Sequence, residues 1–241
     1  MNDGAPAIAV VVGAGGGIGG ALLARLRGDA RYTQVLALGR RCEIALDLGD
    51  EASIAAAAAQ VAAIVAASAA ALRLVVIATG VLQSGGAGAQ VLAEKSLREL
   101  DAGCMARSFA VNTIGPALLL KHFLPLLPRD GRSVFAALSA KVGSIGDNRL
   151  GGWYSYRASK AALNQLLRTA AIELQRSRPQ ALCVALHPGT VDTALSQPFR
   201  KSGLAVQPAD AAAERLLAVI DGLGPGASGG FFNHDGEPLP W

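Results

Sequence analysis

Ile8-Ala9-Val10-Val11-Val12-Gly13-Ala14-Gly15-Gly16-Gly17-Ile18-Gly19-Gly20-Ala21-Leu22-Leu23-Ala24-Arg25-Leu26 decides the fold. The apolar, β-branched start reads as a buried strand. Glycines follow at once, and a helical pattern follows the glycines. Strand, glycine turn and helix in this order form a cradle for phosphate. Glycine allows the tight turn and close approach of backbone to a pyrophosphate, while the helix N-terminus offers free N–H groups and the positive end of its dipole. Gly13, Gly17 and Gly19 carry the turn, with Gly15 and Ile18 in the same loop. The flanking strand and helix are what make the glycine cluster specific.

Outward from this unit, strand-like and helix-like segments alternate. Strands are expected at Ala7–Val12, Gln34–Leu38, Glu43–Leu46, Leu72–Ala78, Arg132–Leu138, Ala181–Leu186 and Gly230–Asn233. Helices are expected at Gly17–Arg27, Glu51–Ala67, Glu94–Leu100, Ala102–Leu127, Trp153–Ser177 and Ala209–Leu223. The alternation predicts one α/β domain over residues 1–241, a Rossmann-type doubly wound parallel β-sheet flanked by helices and wound with right-handed crossovers. The expected strand order is ~3-2-1-4-5-6, with a seventh strand at the edge. Ligands of such sheets lie beyond the carboxyl ends of the strands. Gly13, Arg40, Asp47, Gly80, Ser139 and Pro188 each stand just past an expected strand.

Composition narrows the function. Hydrophobic residues make up 51% and charged residues 17% of the 241, a globular balance. The net charge of +4 comes from scattered residues with only short pairs such as Arg40-Arg41, so no nucleic-acid partner is expected. No apolar stretch runs uninterrupted for about 18 residues, so no membrane span is expected. Met1-Asn2-Asp3-Gly4 lacks the basic start of a secretory signal. Cys42, Cys104 and Cys183 match no metal spacing, and their odd number argues against a disulfide framework and for a reducing cytoplasm. His122, His187 and His234 read as structural.

A second motif is independent of the first. Tyr156 and Lys160 lie four residues apart, on one face of the expected helix. A free tyrosine titrates near ~10, and a neighbouring cation favours the phenolate and fits the phenol for proton transfer. Together, Gly13-x-x-x-Gly17-x-Gly19 and Tyr156-x-x-x-Lys160 resemble the short-chain dehydrogenase/reductase family, over essentially the whole chain. Within it, Gly143-Ser144-Ile145-Gly146-Asp147-Asn148 with Gly151-Gly152-Trp153-Tyr154 most resembles the C-factor or sniffer-type carbonyl reductase subgroup.

The resemblance implies hydride transfer between a nicotinamide dinucleotide and a small carbonyl compound or its alcohol. Tyr156 would exchange a proton with the carbonyl oxygen. Lys160 would bond the nicotinamide ribose and depress the tyrosine pKa, and Asn112 would hold a water that links Lys160 to solvent. Asp47 and Leu48 resemble the pair that meets the adenine, and Gly80 falls in the family's Asn-Ala-Gly position as Ala78-Thr79-Gly80. Pro188-Gly189-Thr190-Val191-Asp192-Thr193 resembles the Pro-Gly-x-Val-x-Thr segment, with Thr190, Val191 and Thr193 at the nicotinamide amide. Leu38-Gly39-Arg40-Arg41 has no acid where a carboxylate would select NAD. Arginine bonds phosphate instead, so NADP(H) is expected, through Arg40 and its neighbour Arg41.

One position departs from the pattern. The family's Ser-Ser-x-x-Gly is here Ser139-Ala140-Lys141-Val142-Gly143, which aligns Ala140 with the serine that polarises the substrate carbonyl. Ser139 is the favoured replacement and Ser144 the other hydroxyl. A missing donor would cost about 3 kcal/mol of transition-state stabilisation. Ala194–Gln207 falls where the family has its substrate lid, and its shortness suggests an open pocket for small carbonyl compounds. The resemblance also implies a homodimer or homotetramer built on the helices at 102–127 and 153–177. The alternative is a nucleotide-binding regulatory or signalling protein of the same fold with little turnover.

Overall fold

Continuous apolar runs make strands that are buried on both faces, and this is how a parallel sheet reads in sequence. The computed structural model describes residues 6–82, 93–193 and 206–241. Six strands, β1 (Ala7–Val12), β2 (Tyr32–Leu38), β3 (Ala71–Ile77), β4 (Ser133–Leu138), β5 (Ala181–His187) and β6 (Phe231–Asn233), pair in parallel in the order β2-β1-β3-β4-β5-β6. Every residue of β1 and of β4 is buried.

The helices divide between the faces. Helices α2 (Glu51–Ala67), α4 (Gly115–Phe123) and α5 (Tyr154–Ser177) cover one side, where Ile54, Leu119, Phe123, Leu163 and Leu167 meet Val10, Val75 and Phe135. Helices α1 (Gly17–Arg27) and α6 (Ala209–Gly222) cover the other, where Leu22, Leu26, Leu216 and Ile220 meet Val11, Val76 and Val184. Arg25 pairs with Asp210 and Glu214 across α1 and α6, but exposed pairs of this kind add little.

Three sequence expectations change. Glu43–Leu46 is not a strand: only Ile44 makes an isolated bridge, to Leu38. Too few residues separate it from β2 for the crossover that a parallel neighbour needs. The expected order otherwise stands, without its outermost member. The helix expected at Glu94–Leu100 is a single 3₁₀ turn at Leu97–Glu99. The long helix at 102–127 is a composite of α3 (Ala102–Phe109), a π-helical turn at Ala110–Ile114, α4, and a 3₁₀ turn at Leu124–Leu126. By length and composition, Ala102–Leu126 is also apolar enough to cross a membrane. In this fold it is a core helix, with Leu119 and Phe123 fully buried under the sheet.

Phe135 stands in the middle of β4 at zero exposure. Phe135→Ala is expected to cost about 3–5 kcal/mol, read as a lower urea midpoint at unchanged m-value.

Candidate active site

The carboxyl ends of β1 to β5 bring the marked residues to one edge of the sheet. Gly13 follows β1 with φ of +84°, and its N–H donates to Leu38 O at 2.8 Å. A side chain on Gly13 would meet Thr79 Cγ2 at 2.8 Å, one on Gly17 would meet Thr193 Cγ2 at 2.8 Å, and one on Gly19 would overlap the carbonyl of Gly13. The loop is therefore walled by Thr79 and the Ala78 carbonyl at Gly13 and by its own backbone at Gly19, and Thr193 closes against it from beyond β5. Gly15 faces outward, with only Cys42 Sγ near, at 3.9 Å. Ile18 is half-buried against the α1 side of the core. The first-turn N–H groups of α1 have no partners within the helix, and Thr79 Oγ1 beside Gly13 is buried without a hydrogen-bond partner among the described residues. This donor set, lined by glycine and positive in character, fits a dinucleotide pyrophosphate.

Beyond β2, Arg40 and Arg41 are exposed and make no ion pair among the described residues. Asp47 is also exposed; its Oδ1 accepts from Gly49 N at 2.9 Å and so holds the turn that leads into α2. Leu48 packs against Gly115 at the start of α4, where an added methyl would meet Leu48 Cβ at 3.0 Å.

The π turn delivers Asn112. Its side chain is fully buried; Oδ1 accepts from Val81 N at 2.8 Å, and Nδ2 donates to Val81 O at 2.8 Å and to Ser159 Oγ at 3.1 Å. Gly80 lies against this amide and against the Lys160 ammonium: a methyl there would sit 3.4 Å from Asn112 Oδ1 and 3.5 Å from Lys160 Nζ. Lys160 Nζ donates to Leu138 O at 2.8 Å, and burial lowers its pKa to about 8. Gly143 packs on the same lysine, 2.8 Å from its Cβ were a methyl added. Lys160 Nζ is 6.0 Å from the centre of the Tyr156 ring.

The depressed tyrosine pKa expected from this pair is not what the fold produces. Burial pushes the Tyr156 phenol upward, because it sits among Leu82, Ala93 and Ala140, with Val142 and Trp153 alongside. The cause is desolvation of the phenol, while the ammonium is engaged by the Leu138 carbonyl.

Ser139, the favoured carbonyl-polarising hydroxyl, has its side chain engaged away from Tyr156. The strand ladder runs on through it, with Ser139 N donating to Leu186 O at 2.8 Å. Alternation along the strand then turns its side chain to α5, where Oγ donates to Asn164 Oδ1 at 2.6 Å. Asn164 lies about 12 Å along the helix axis from Tyr156. Ser144 is likewise engaged, accepting from Asp147 N at 3.0 Å and donating to Trp241 O at 3.3 Å. Ala140 is the residue that packs with Tyr156.

Past β5, Pro188 O accepts from Gln207 Nε2 at 2.7 Å, and Gly189 takes φ of +75° with the His234 ring against it. Val191 is buried and bridges to Gln207. The lid expected at Ala194–Gln207 falls outside the described residues up to 205. No group of three or more metal-ligating side chains occurs among the described residues.

Several contributors escaped the sequence reading. Ser159 bridges Asn112 and the Tyr156 carbonyl, to which its Oγ donates at 2.9 Å. Thr113 Oγ1 donates to Ser159 O at 2.8 Å. Buried Glu94 accepts from the hydroxyl of Ser155, and its carbonyl accepts from Trp153 N at 2.5 Å. Trp153 itself has φ of +55°, rare for a bulky residue, and meets the Tyr156 ring edge-on at 6.5 Å. Only the Asn112-Thr113 pair in an otherwise apolar stretch signalled any of this.

Lys160 sets a pH dependence. It titrates near 8 in the fold against 10.5 in the open chain, so the unfolded state binds more protons between those values. Stability is lowest below pH 8 and climbs as pH rises toward about 10.5. Between pH 7 and 9.5, wild type is expected to gain about 1–2 kcal/mol more than Lys160→Met, measured by urea unfolding at both pH values.

Comparisons with known proteins agree with this geometry. The short chain dehydrogenase family model matches residues 7–203. C-signal of Myxococcus xanthus is 38% identical over 147 residues, covering 61% of this chain and 84% of that protein. The 1-hydroxy-2-glutathionyl-2-methyl-3-butene dehydrogenase of Rhodococcus sp. strain AD45 is 39% identical over 142 residues, covering 59% of this chain and only 61% of the relative's length. Among solved structures, the NADPH-bound carbonyl reductase from chicken fatty liver has 27% identity and a TM-score of 0.80, over 98% of each chain. The carbonyl reductase Sniffer of D. melanogaster, at 23% identity and a TM-score of 0.82 over 98% of this chain and 99% of that one, shares the fold.

Proposed function

The chain belongs to the short-chain dehydrogenase family of oxidoreductases, and from that membership we propose that it is an NADP(H)-dependent reductase interconverting a small carbonyl compound and its alcohol. One observation carries the reading: Gly80, Asn112, Lys160 and Tyr156 converge at the same sheet edge as the glycine cradle. The dinucleotide, when bound, supplies the hydride that forms the new C–H bond. Tyr156 gives its proton to the carbonyl oxygen, the phenol being the protonated form at neutral pH. Lys160 holds the ribose and the proton path, and Asn112 fixes the chain beyond β3 against α5. One lone pair of Asn112 Oδ1 is left for a water.

Exposed Arg40 and Arg41 support a 2′-phosphate in place of a second ribose hydroxyl, as do the NADPH-bound neighbour and the missing acid after β2. The protein is proposed to work in the cytoplasm as a homo-oligomer. A groove between α4 and α5 lined by Leu120, Leu124, Leu166 and Ala170 supports pairing through those helices. Ala140 beside Tyr156 keeps a second reading in view, a regulatory dinucleotide binder with little turnover.

Tyr156→Phe is expected to lower kcat for carbonyl reduction about 10²–10⁴-fold with NADPH affinity unchanged, measured by NADPH oxidation and by calorimetry. Tight NADPH binding without turnover in wild type would instead favour the regulatory reading. Arg40→Glu is expected to weaken NADPH about tenfold or more and to leave NADH affinity unchanged or improved, measured by the same titration.

A further inference from the structure

Helix α5 carries Tyr156 as its third residue, yet it starts without a cap of its own. Its N-cap is Trp153, whose side chain makes no capping bond, and its first turn holds no acid. A helix usually meets its free first-turn N–H groups with a local Ser, Thr, Asp or Asn. Here the acceptor comes from 61 residues away. Glu94, in the chain beyond β3, accepts from Ser155 N at 3.4 Å through Oε2 and from the Ser155 hydroxyl through Oε1. Its main-chain carbonyl accepts from Trp153 N at 2.5 Å.

The turn that Glu94 meets is strained. Gly151, Gly152 and Trp153 follow one another at φ of +63°, +66° and +55°, and Trp153 is the only non-glycine with positive φ among the described residues. Glycine takes this backbone freely, whereas a bulky indole does not. From the other side Arg157 Nε donates to Gly152 O at 2.9 Å, and its Nη1 donates to Val142 O at 3.2 Å. The turn is thus clamped between Glu94 and Arg157. Glu94 is 5% exposed and in no ion pair among the described residues. A carboxylate taken out of water without a cation is costly, and this one is answered by the start of α5. Ala93 immediately before it, and Leu82, pack on Tyr156.

We propose that Glu94 is a positioning residue for the reaction: its carboxylate caps the first turn of α5 and its carbonyl pins Trp153, so that the proton donor and the indole beside it are set as one unit. The inference rests on the reductase reading above. Its physical basis is angular. Each helical residue turns the side-chain direction by about 100°, so an unwound first turn swings the phenol off its line. Trp153, edge-on to Tyr156 at 6.5 Å, is then free to leave its left-handed backbone. A misplacement of ~1 Å can cost a reaction about a hundredfold in rate. The carboxylate also faces the positive end of the α5 dipole, which favours an anion there. The glycine cradle is built on β1 and α1, and α1 lies on the other face of the sheet, so dinucleotide binding does not depend on this cap.

The test compares wild type, Glu94→Ala and Glu94→Gln in the reduction of 4-nitrobenzaldehyde at saturating NADPH. NADPH affinity is measured by calorimetry, and backbone hydrogen exchange is followed over residues 153–157 and over α1. Glu94→Ala is expected to lower kcat about 10- to 100-fold and to leave NADPH affinity unchanged. It is expected to speed exchange at 153–157 about tenfold or more, with α1 still protected. Glu94→Gln keeps an acceptor without the charge and is expected to recover kcat to within about threefold of wild type. Ser155→Ala cuts the same contact from the helix side and is expected to lower kcat about 3- to 10-fold; it decides the matter where Glu94→Ala does not fold. Wild-type kcat in Glu94→Ala, or in Ser155→Ala standing in for it, overturns the inference. So does a fall in kcat that NADPH affinity matches and glutamine does not recover, because that is a general loss of packing. No turnover by wild type is a failure of the reductase reading, and exchange then decides alone: unchanged protection at 153–157 in Glu94→Ala overturns the cap, and a loss confined there supports it.

Discussion

One buried amide holds the site together. Asn112 joins the chain beyond β3, the α3–α4 run and α5 through Val81 N, Val81 O and Ser159 Oγ. A fully buried amide is tolerated only when its donors and acceptor are answered, and these partners lie on elements that regular helical pitch would not align with one residue. The π turn supplies the extra residue. It sets Asn112 and Thr113 side by side on Ser159, which in turn bonds the carbonyl of Tyr156. The position of the phenol is thus tied, through two side chains, to the exit of β3.

The same neighbourhood is costly to fold. Lys160 is an ammonium taken almost wholly out of water for a single carbonyl, Leu138 O, and that burial lowers its pKa. Nothing in the packing of the two cores requires a charge there. Gly143 is pressed against its stem, so the fold gives up a side chain at that position to seat it, and Gly80 lies in ordinary contact with its tip. Local cost of this kind is what a site selected for chemistry rather than for stability leaves behind.

The strand–glycine–helix unit was fully legible in the sequence: β1 and α1 begin and end where the pattern says. The sheet order was legible too, since alternation and handedness leave few topologies. Glu43–Leu46 misled because its alternation is real: Ile44 and Leu46 are buried while Glu43 and Ala45 are exposed. A single bridge satisfies that pattern as well as a strand does. The π turn was invisible because apolar periodicity does not register one inserted residue within a helical run, and Ile114 inside it is apolar yet exposed. The direction of Ser139 was not legible because sequence does not say where a strand ladder stops, and one further ladder bond reverses a side chain's direction.

The two tryptophans of the chain stand at opposite duties. Trp153 forms the wall beside Tyr156 in a left-handed backbone held by Glu94 O. Trp241 stacks on Phe231 at 5.7 Å and is 40% exposed, and its carbonyl accepts from Gly146 N at 2.8 Å. The two indoles therefore report on different places, one half-buried at the sheet edge beside Tyr156 and the other 40% exposed where the tail returns across β6. Selective quenching of intrinsic fluorescence makes the chain its own two-channel record of which end of the fold loosens first.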